Sequence, residues 1–143
     1  MGAFITIPVI GIRALAQELL SACGADSTQS KVFVDSLIWS GQIRRSTHGI
    51  WRLPSYCKRL EFGLNKCPCS PRFEEKAAAL YGRNGDNGLD HYVGDTAMTK
   101  AVNIAQTASL AAVSVYNSNH FGTGVYYVHL ATRRNMIGIA VSK

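Results

Sequence analysis

The sequence predicts an α/β fold in which a helical N-terminal part precedes a sheet that is at least partly parallel. Apolar residues recur at helical spacing through residues 9–60. Beyond residue 71, short apolar runs alternate with amphipathic segments in the order strand, helix, strand, helix, strand, which implies crossover connections. With 47% hydrophobic and 17% charged residues among 143, the composition is typical of a globular domain and excludes a disordered chain.

Three helices are predicted in the first part of the chain. The first ends at Gly24, and its apolar face consists of Val9, Ile12, Leu15, Ala16, Leu19 and Leu20. Asp26 or Ser27 caps the second, which we expect to end near Arg45. The third carries apolar residues from Ile50 to Leu60, and Pro54 places its start near Leu53.

Residues 65–71 hold two prolines and two cysteines without periodicity, so they are predicted to connect two domains, 1–64 and 72–143. The second domain is predicted from five segments. In chain order these are a strand at 77–81, a helix through 93–105, a strand at 110–116, a helix at about 124–134 and a buried strand at 136–141. Because the chain stops directly after that strand, we expect it to be the front of a longer protein.

Composition and cysteine spacing indicate which kinds of partner the chain binds and in which compartment it is located. The net charge of +6 suits anionic partners, but the basic residues are scattered and are not interleaved with aromatic residues, so we expect no nucleic-acid partner. No apolar stretch approaches the ~20 residues of a membrane span, and the apolar start lacks a basic leader, so we expect no membrane association. Cys67-Pro68-Cys69 lacks the spacing of a zinc knuckle, so we predict no metal site, reduced thiols and a cytoplasmic location.

The first candidate site is the basic segment around His48. A histidine is well suited to proton transfer near neutral pH, and Thr47 offers a hydroxyl that can orient it. Arg52 lies four residues further on, and its planar guanidinium matches a carboxylate in a bidentate manner. From the residues alone, a surface histidine in a basic loop is the simpler interpretation, and it stays open.

The second candidate is the segment Asn117–Gly124, which follows a predicted strand and opens a helix. Ligands of open α/β sheets bind beyond the carboxyl ends of strands, where a helix N-terminus offers backbone N–H groups. Tyr127 stands where the dinucleotide fingerprint needs its third glycine, so the segment is not that motif. A polar capped turn explains it equally well. The third segment, Asn84–His91, is interpreted as a structural turn.

Taken together, the three segments resemble the malate/L-lactate dehydrogenase-like family, which includes ureidoglycolate dehydrogenases and 2,3-diketogulonate reductases. Thr-His-Gly-x-x-Arg-Leu-Pro-x-Tyr at 47–56 is similar to its first block, and Gly-Asp-Asn-Gly-Leu at 85–89 to its second. Asn-Ser-Asn-His-Phe-Gly at 117–122, with Tyr126-Tyr127 and the run 136–139, is similar to its third. The resemblance covers about residues 12–141 and is to the N-terminal portion of the family only.

This resemblance implies an NAD- or NADP-dependent dehydrogenase of 2-oxo and 2-hydroxy acids. It implies a helical N-terminal part, used for substrate binding and dimerisation, packed on a mixed, non-Rossmann cofactor-binding sheet that is truncated in this chain, and usually a homodimer. His48 then corresponds to the proton donor to the substrate carbonyl, Thr47 to the residue that works with it and Arg52 to the carboxylate ligand. The segment that lines the nicotinamide cofactor corresponds to His120, Phe121, Gly122, Thr123 and Gly124.

The chain departs from the family pattern at Asp90, Val125 and Asn135, where glycines are common. The resemblance also implies that an acidic partner of the catalytic pair lies downstream of this chain. We therefore expect the 143 residues alone to lack dehydrogenase activity. The alternative function is a catalytically inactive fragment or truncated isoform of such an enzyme.

Overall fold

The computed structural model describes residues 6–142. Their helices and strands are α1 (Val9–Ala22), α2 (Ser27–Gln42), α3 (Leu53–Glu61), β1 (Arg72–Ala77), β2 (Leu80–Asn84), α4 (Asp90–Ala108), β3 (Ala112–Tyr116) and α5 (Gly124–Thr132). Two single-turn 3₁₀ helices, Ser46–His48 and Ile50–Arg52, lie between α2 and α3. No helix within this range is long and apolar enough to cross a membrane.

The three N-terminal helices form where the apolar periodicity predicts them. Gly24 has a φ of +84°, a left-handed conformation that ends α1. The Asp26 carboxylate accepts the backbone N–H groups of Thr28 and Gln29 at 3.0 and 2.9 Å, so of the two predicted caps of α2 it is Asp26 that caps the helix. The helices share a core of buried side chains, namely Ala16, Leu20, Phe33, Val34, Leu37, Ile38, Leu53, Tyr56 and Leu89.

The sheet is small and mixed, in the order β1-β2-β3. β1 and β2 form an antiparallel hairpin, whereas β2 and β3 are parallel and are joined by the crossover helix α4. The helical part packs against this unit mainly through α2, whose Phe33 ring meets the His91 ring of α4 at a centroid distance of 4.7 Å. The predicted α/β fold, with a helical part packed against a mixed sheet unit, is confirmed.

Two predicted strands are wrong. The segment 77–81, predicted as one strand, contains the end of β1, a turn and the start of β2. The prediction missed β1 because its residues Arg72–Ala77 are mostly charged and show no apolar alternation. The segment 136–141 forms no strand, since it hydrogen-bonds to none of the strands described between residues 6 and 142. Its side chains are not fully buried: Met136 and Ala140 are half-buried, whereas 95% of Ile137 and 84% of Val141 are accessible.

Val125 and Asn135, which stand where glycines are common in the family pattern, both adopt backbone conformations that suit their residue types. Val125 is the second residue of α5, where a β-branched side chain meets ordinary helical geometry. Asn135 has a φ of +56°, and asparagine tolerates this left-handed conformation better than most residues.

Candidate active site

Three parts of the chain meet beside the N-terminus of α4. They are the 3₁₀ helices after α2, the first turn of α3, and the loop between β3 and α5. The first of these lies close against α2: a Cβ added to Gly49 would be 3.3 Å from the Cα of Gly41. That close approach brings the basic segment towards the β3–α5 loop.

Thr47 and His48, the predicted catalytic pair, are in contact. The Thr47 Oγ1 lies 3.1 Å from the Nδ1 of His48. The other ring nitrogen, Nε2, does not contact the threonine. On its other side the His48 ring stacks on the ring of His120, with 6.0 Å between centroids and 20° between planes. The two segments that the sequence marked separately therefore form one site.

Arg52 also reaches His120. Its Nη2 lies 3.2 Å from the Nε2 of His120, and the Tyr56 hydroxyl lies 2.8 Å from the Nδ1 of the same ring. The Nε of Arg52 is buried and has no hydrogen-bond partner among the described residues. A buried donor without an acceptor is costly, so this nitrogen is available for an acceptor that arrives from outside.

Burial and neighbouring positive charge lower the pKa values of two imidazoles in the site, His120 and His91. Burial, followed by the charges of Arg52 and His48, lowers the pKa of His120. Below it, His91 is 4% exposed, and burial, followed by the charges of His120, His48 and Arg52, lowers its pKa to about 3. Burial raises the pKa of Tyr56 to about 12, so its hydroxyl keeps its proton near neutral pH.

The loop that carries His120 is anchored on both sides of that residue. The buried carboxylate of Asp90 accepts the Ser118 hydroxyl and the backbone N–H of Asn119. Arg59 donates to the Asn119 side chain at 2.8 Å. These contacts fix the backbone immediately before His120.

After His120, the predicted cofactor segment makes several internal contacts. The Phe121 ring stacks on Tyr127 at 4.6 Å, and the Tyr127 hydroxyl donates to the Phe121 carbonyl at 2.7 Å. Gly122 has a φ of +74° and lies directly against His91. Thr123 is the N-cap residue of α5 but its side chain makes no capping hydrogen bond, and Gly124 begins the helix. The first N–H groups of α5 thus lack a side-chain acceptor.

Three residues of the site carried no predicted role. Tyr56 belongs to the first motif, and its position one helical turn after Arg52 is a signal that the two face the same side. His91 and Asp90 were interpreted as parts of a structural turn and a departure, respectively. The turn exists at Asp86 and Asn87, both with positive φ, but His91 and Asp90 belong to α4 and underlie the site.

Among residues 6–142, no group of three or more histidine, cysteine, aspartate or glutamate side chains is arranged to hold a metal ion.

Comparison with known proteins assigns the chain to a family. Residues 7–143 match the sequence profile of the family described as malate/L-lactate dehydrogenase, and the chain belongs to this family. The resemblance predicted from the three motifs is confirmed, and the chain corresponds to the N-terminal portion of its relatives.

Among individual relatives, the chain is 31% identical to L-sulfolactate dehydrogenase of Methanocaldococcus jannaschii over 91% of its length. It is 30% identical to malate dehydrogenase of Pyrococcus abyssi over 97% of its length. It spans 38% of the length of each of these proteins.

Solved structures give the same result. The structure of malate dehydrogenase from Entamoeba histolytica matches with a TM-score of 0.86 at 27% identity, covering 90% of this chain and 36% of that one. The structure of sulfolactate dehydrogenase from Methanocaldococcus jannaschii matches with a TM-score of 0.87 at 26% identity, covering 92% and 38%.

Proposed function

We propose that this chain carries the substrate-binding and proton-transfer residues of an NAD- or NADP-dependent dehydrogenase that interconverts 2-oxo and 2-hydroxy acids. One observation carries the proposal: His48, Arg52 and His120 converge, and the Arg52 Nε is a buried donor without a partner among residues 6–142. A small carboxylic acid supplies the acceptor that this guanidinium lacks. Family membership supports the reaction class.

Arg52 is proposed to bind the substrate carboxylate. Its Nη2 is engaged by His120, so the guanidinium is held at one end while its Nε remains free. A carboxylate that meets Nε and a neighbouring amino group forms two parallel, charge-assisted hydrogen bonds. This geometry fixes the orientation of the substrate as well as its position, because a planar fork meets a planar carboxylate in one plane.

His48 is proposed to move the proton at the C2 oxygen of the substrate. Its Nδ1 faces the Thr47 hydroxyl, so its Nε2 is the nitrogen that can face the substrate. An imidazole exchanges protons readily near neutral pH, which suits donation to a carbonyl oxygen in one direction and acceptance from a hydroxyl in the other. Thr47 orients the ring.

The segment His120–Gly124 offers hydrogen-bond donors that suit a nicotinamide cofactor. The first N–H groups of α5 have no side-chain acceptor, and a helix N-terminus favours anionic or strongly polar acceptor groups. His120, Phe121, Gly122, Thr123 and Gly124 are the residues we propose to line it. When bound, the cofactor supplies or accepts the hydride at the substrate's C2.

We also propose that the whole protein works as a homodimer in the cytoplasm, with residues 1–64 and 72–143 belonging to separate domains. The dimer rests on the family resemblance. The location is supported by the four free cysteines Cys23, Cys57, Cys67 and Cys69, because reduced thiols persist in a reducing compartment.

The binding of a substrate mimic tests the site directly. We expect oxalate, titrated into ¹⁵N-labelled protein, to shift the NMR resonances of the Arg52 side chain and of the His48 and His120 rings in a saturable manner. Arg52→Gln should abolish this response. Arg45→Gln is the matched control, because it removes the same charge from an exposed position in the same segment. Equal loss of binding in both variants would contradict a specific carboxylate site and favour general charge attraction.

Turnover tests the role of His48. In a form of the protein that oxidises NADH or NADPH with pyruvate or oxaloacetate, His48→Ala should lower turnover by about 10²–10⁴-fold, the usual contribution of a positioned general acid. Turnover near the wild-type value contradicts the assignment. Saturable oxalate binding without any turnover would favour the alternative, an inactive relative that keeps the substrate site.

A further inference from the structure

Both ring nitrogens of His120 are contacted by residues that lie one helical turn apart. Arg52, the residue directly before α3, places its Nη2 3.2 Å from the Nε2 of His120. Tyr56, in the first turns of α3, places its hydroxyl 2.8 Å from the Nδ1. Positions i and i+4 share one face of a helix, so Arg52 and Tyr56 at the start of α3 can contact the two ring nitrogens of His120 together.

These contacts select one tautomer of His120. A guanidinium has donors and no acceptor, so the Nε2 that faces Arg52 has to accept and carries no proton. The single proton of the neutral ring is then on Nδ1, and the Tyr56 hydroxyl oxygen accepts it. The backbone N–H of Gly122 also approaches Nδ1, at 3.3 Å, and favours the opposite tautomer. That contact joins two neutral groups and is longer than the tyrosine contact, whereas the arginine contact is charge-assisted and therefore stronger.

The Tyr56 hydroxyl is held in place by its surroundings. Its side chain is 3% exposed, and the Phe33 ring packs edge-on against it at 4.6 Å. The His91 ring meets it from a second direction at 5.4 Å and 82°. A phenol ring enclosed in this way cannot move its oxygen without disturbing the core, so the oxygen stays within hydrogen-bonding distance of Nδ1 and can accept the proton that the Arg52 contact leaves there.

We infer that Tyr56 is a positioning residue that accepts the Nδ1 proton of His120 and thereby supports the tautomer in which Nε2 is the acceptor that holds the Nη2 of Arg52. The consequence for ligands rests on the proposed function. With Nη2 held by His120, the Nε of Arg52 stays turned towards the substrate carboxylate. Without Tyr56, the opposite tautomer would direct an N–H at the guanidinium and displace it.

The tautomer can be measured directly. Long-range ¹H–¹⁵N correlation NMR of the ¹⁵N-labelled protein at pH 7.5 distinguishes protonated from unprotonated ring nitrogens. We expect His120 of the wild type to be protonated mainly at Nδ1. Tyr56→Phe keeps the ring and removes the oxygen, so the ratio of the two tautomers should change by about fivefold or more towards Nε2 protonation, the worth of one hydrogen bond. Tyr127→Phe is the matched control, since this buried hydroxyl donates to the Phe121 carbonyl and makes no contact with His120.

Protonation of His120 at Nε2 in the wild type overturns the inference without any variant, which keeps the test decisive even if Tyr56→Phe fails to fold. An unchanged ratio in folded Tyr56→Phe overturns it as well, as does an equal change in Tyr127→Phe. Oxalate binding separates this inference from the proposed function. If the wild type shows the expected tautomer but binds no oxalate, the proposed function fails while the positioning role stands. If it binds oxalate, Tyr56→Phe should weaken binding by about threefold to tenfold and Tyr127→Phe should not.

Discussion

Gly122 lies directly on His91. The glycine has a φ of +74°, and a Cβ added to it would be 2.4 Å from the Nε2 of the histidine. His91 is buried against Phe33 and Tyr56 and cannot retreat. The loop that carries His120 therefore approaches α4 as closely as it does because residue 122 has no side chain.

Replacing Gly122 by alanine should destabilise the protein and displace the loop. The left-handed conformation costs an alanine about 1–2 kcal/mol, and overpacking against His91 adds about 1–3 kcal/mol. We predict a loss of about 2–5 kcal/mol in the free energy of unfolding, measured by urea denaturation. Gly124→Ala is the control: its Cβ would lie 3.4 Å from the Phe121 ring, an ordinary contact, and it should stay within about 1 kcal/mol of the wild type. Equal losses in the two variants would show that the contact with His91 does not matter.

The buried His91 should make the protein sensitive to acid. Burial, with the charges of His120, His48 and Arg52, lowers its pKa from 6.5 to about 3. The unfolded chain therefore binds a proton at His91 below about pH 6.5, whereas the folded chain does not until about pH 3. The free energy of unfolding should fall as the pH is lowered through this window, by up to about 1.4 kcal/mol per pH unit from this group.

Urea denaturation of the wild type and His91→Gln at several pH values checks this expectation. The contributions of the other titrating groups are common to both proteins and cancel in the comparison. The variant should show a shallower decline between pH 6.5 and 4 than the wild type. Parallel curves would mean that His91 takes up its proton in the folded state at an ordinary pH.

Local signals in the sequence predicted the helices well and the first strands poorly. Asp26 and Pro54 mark the starts of α2 and α3 through side-chain chemistry that acts within one turn. β1 has no such local signal. Its residues Arg72–Ala77 are mostly charged and become a strand because β2 pairs with them, and this pairing is a tertiary interaction that periodicity does not reveal.

The candidate site was predicted in two pieces that the sequence could not join. The motif at 47–56 and the segment at 117–124 were assigned to substrate and cofactor, respectively. The structure brings Arg52 and His120 into contact across 68 residues, which no spacing rule indicates. His91 was overlooked because it follows a run of turn residues, and only tertiary packing places it beneath the site.

Arg52→Lys should weaken carboxylate binding although it keeps the charge. A lysine cannot present two parallel donors and cannot bridge the His120 Nε2 and a carboxylate in one plane. Hydrogen bonds to charged groups contribute about 1.5–3 kcal/mol, so we predict a loss of oxalate affinity of about tenfold to a hundredfold, with cofactor binding little changed. Isothermal titration measures both affinities. If oxamide, the uncharged diamide, binds the wild type as tightly as oxalate, Arg52 has no role as a carboxylate ligand.

Asp90 ties the first residue of α4 to the loop before His120. Its side chain is buried, and it accepts both the Ser118 hydroxyl and the backbone N–H of Asn119. Burial raises the pKa of this carboxyl group, although the two hydrogen bonds oppose the shift.

Removing this anchor should loosen the loop and lower the stability. In Asp90→Ala the Ser118 hydroxyl and the Asn119 N–H lose their acceptor, and we predict a loss of about 2–3 kcal/mol in the free energy of unfolding. Asp90→Asn keeps an oxygen that can accept both hydrogen bonds and removes the buried charge, so its loss should be less than half as large. Hydrogen exchange of the Asn119 amide gives a local reading of the same effect: it should accelerate strongly in Asp90→Ala and only slightly in Asp90→Asn. Equal exchange rates in the two variants would show that the hydrogen bonds do not hold the loop, because the variants differ mainly in whether an acceptor remains.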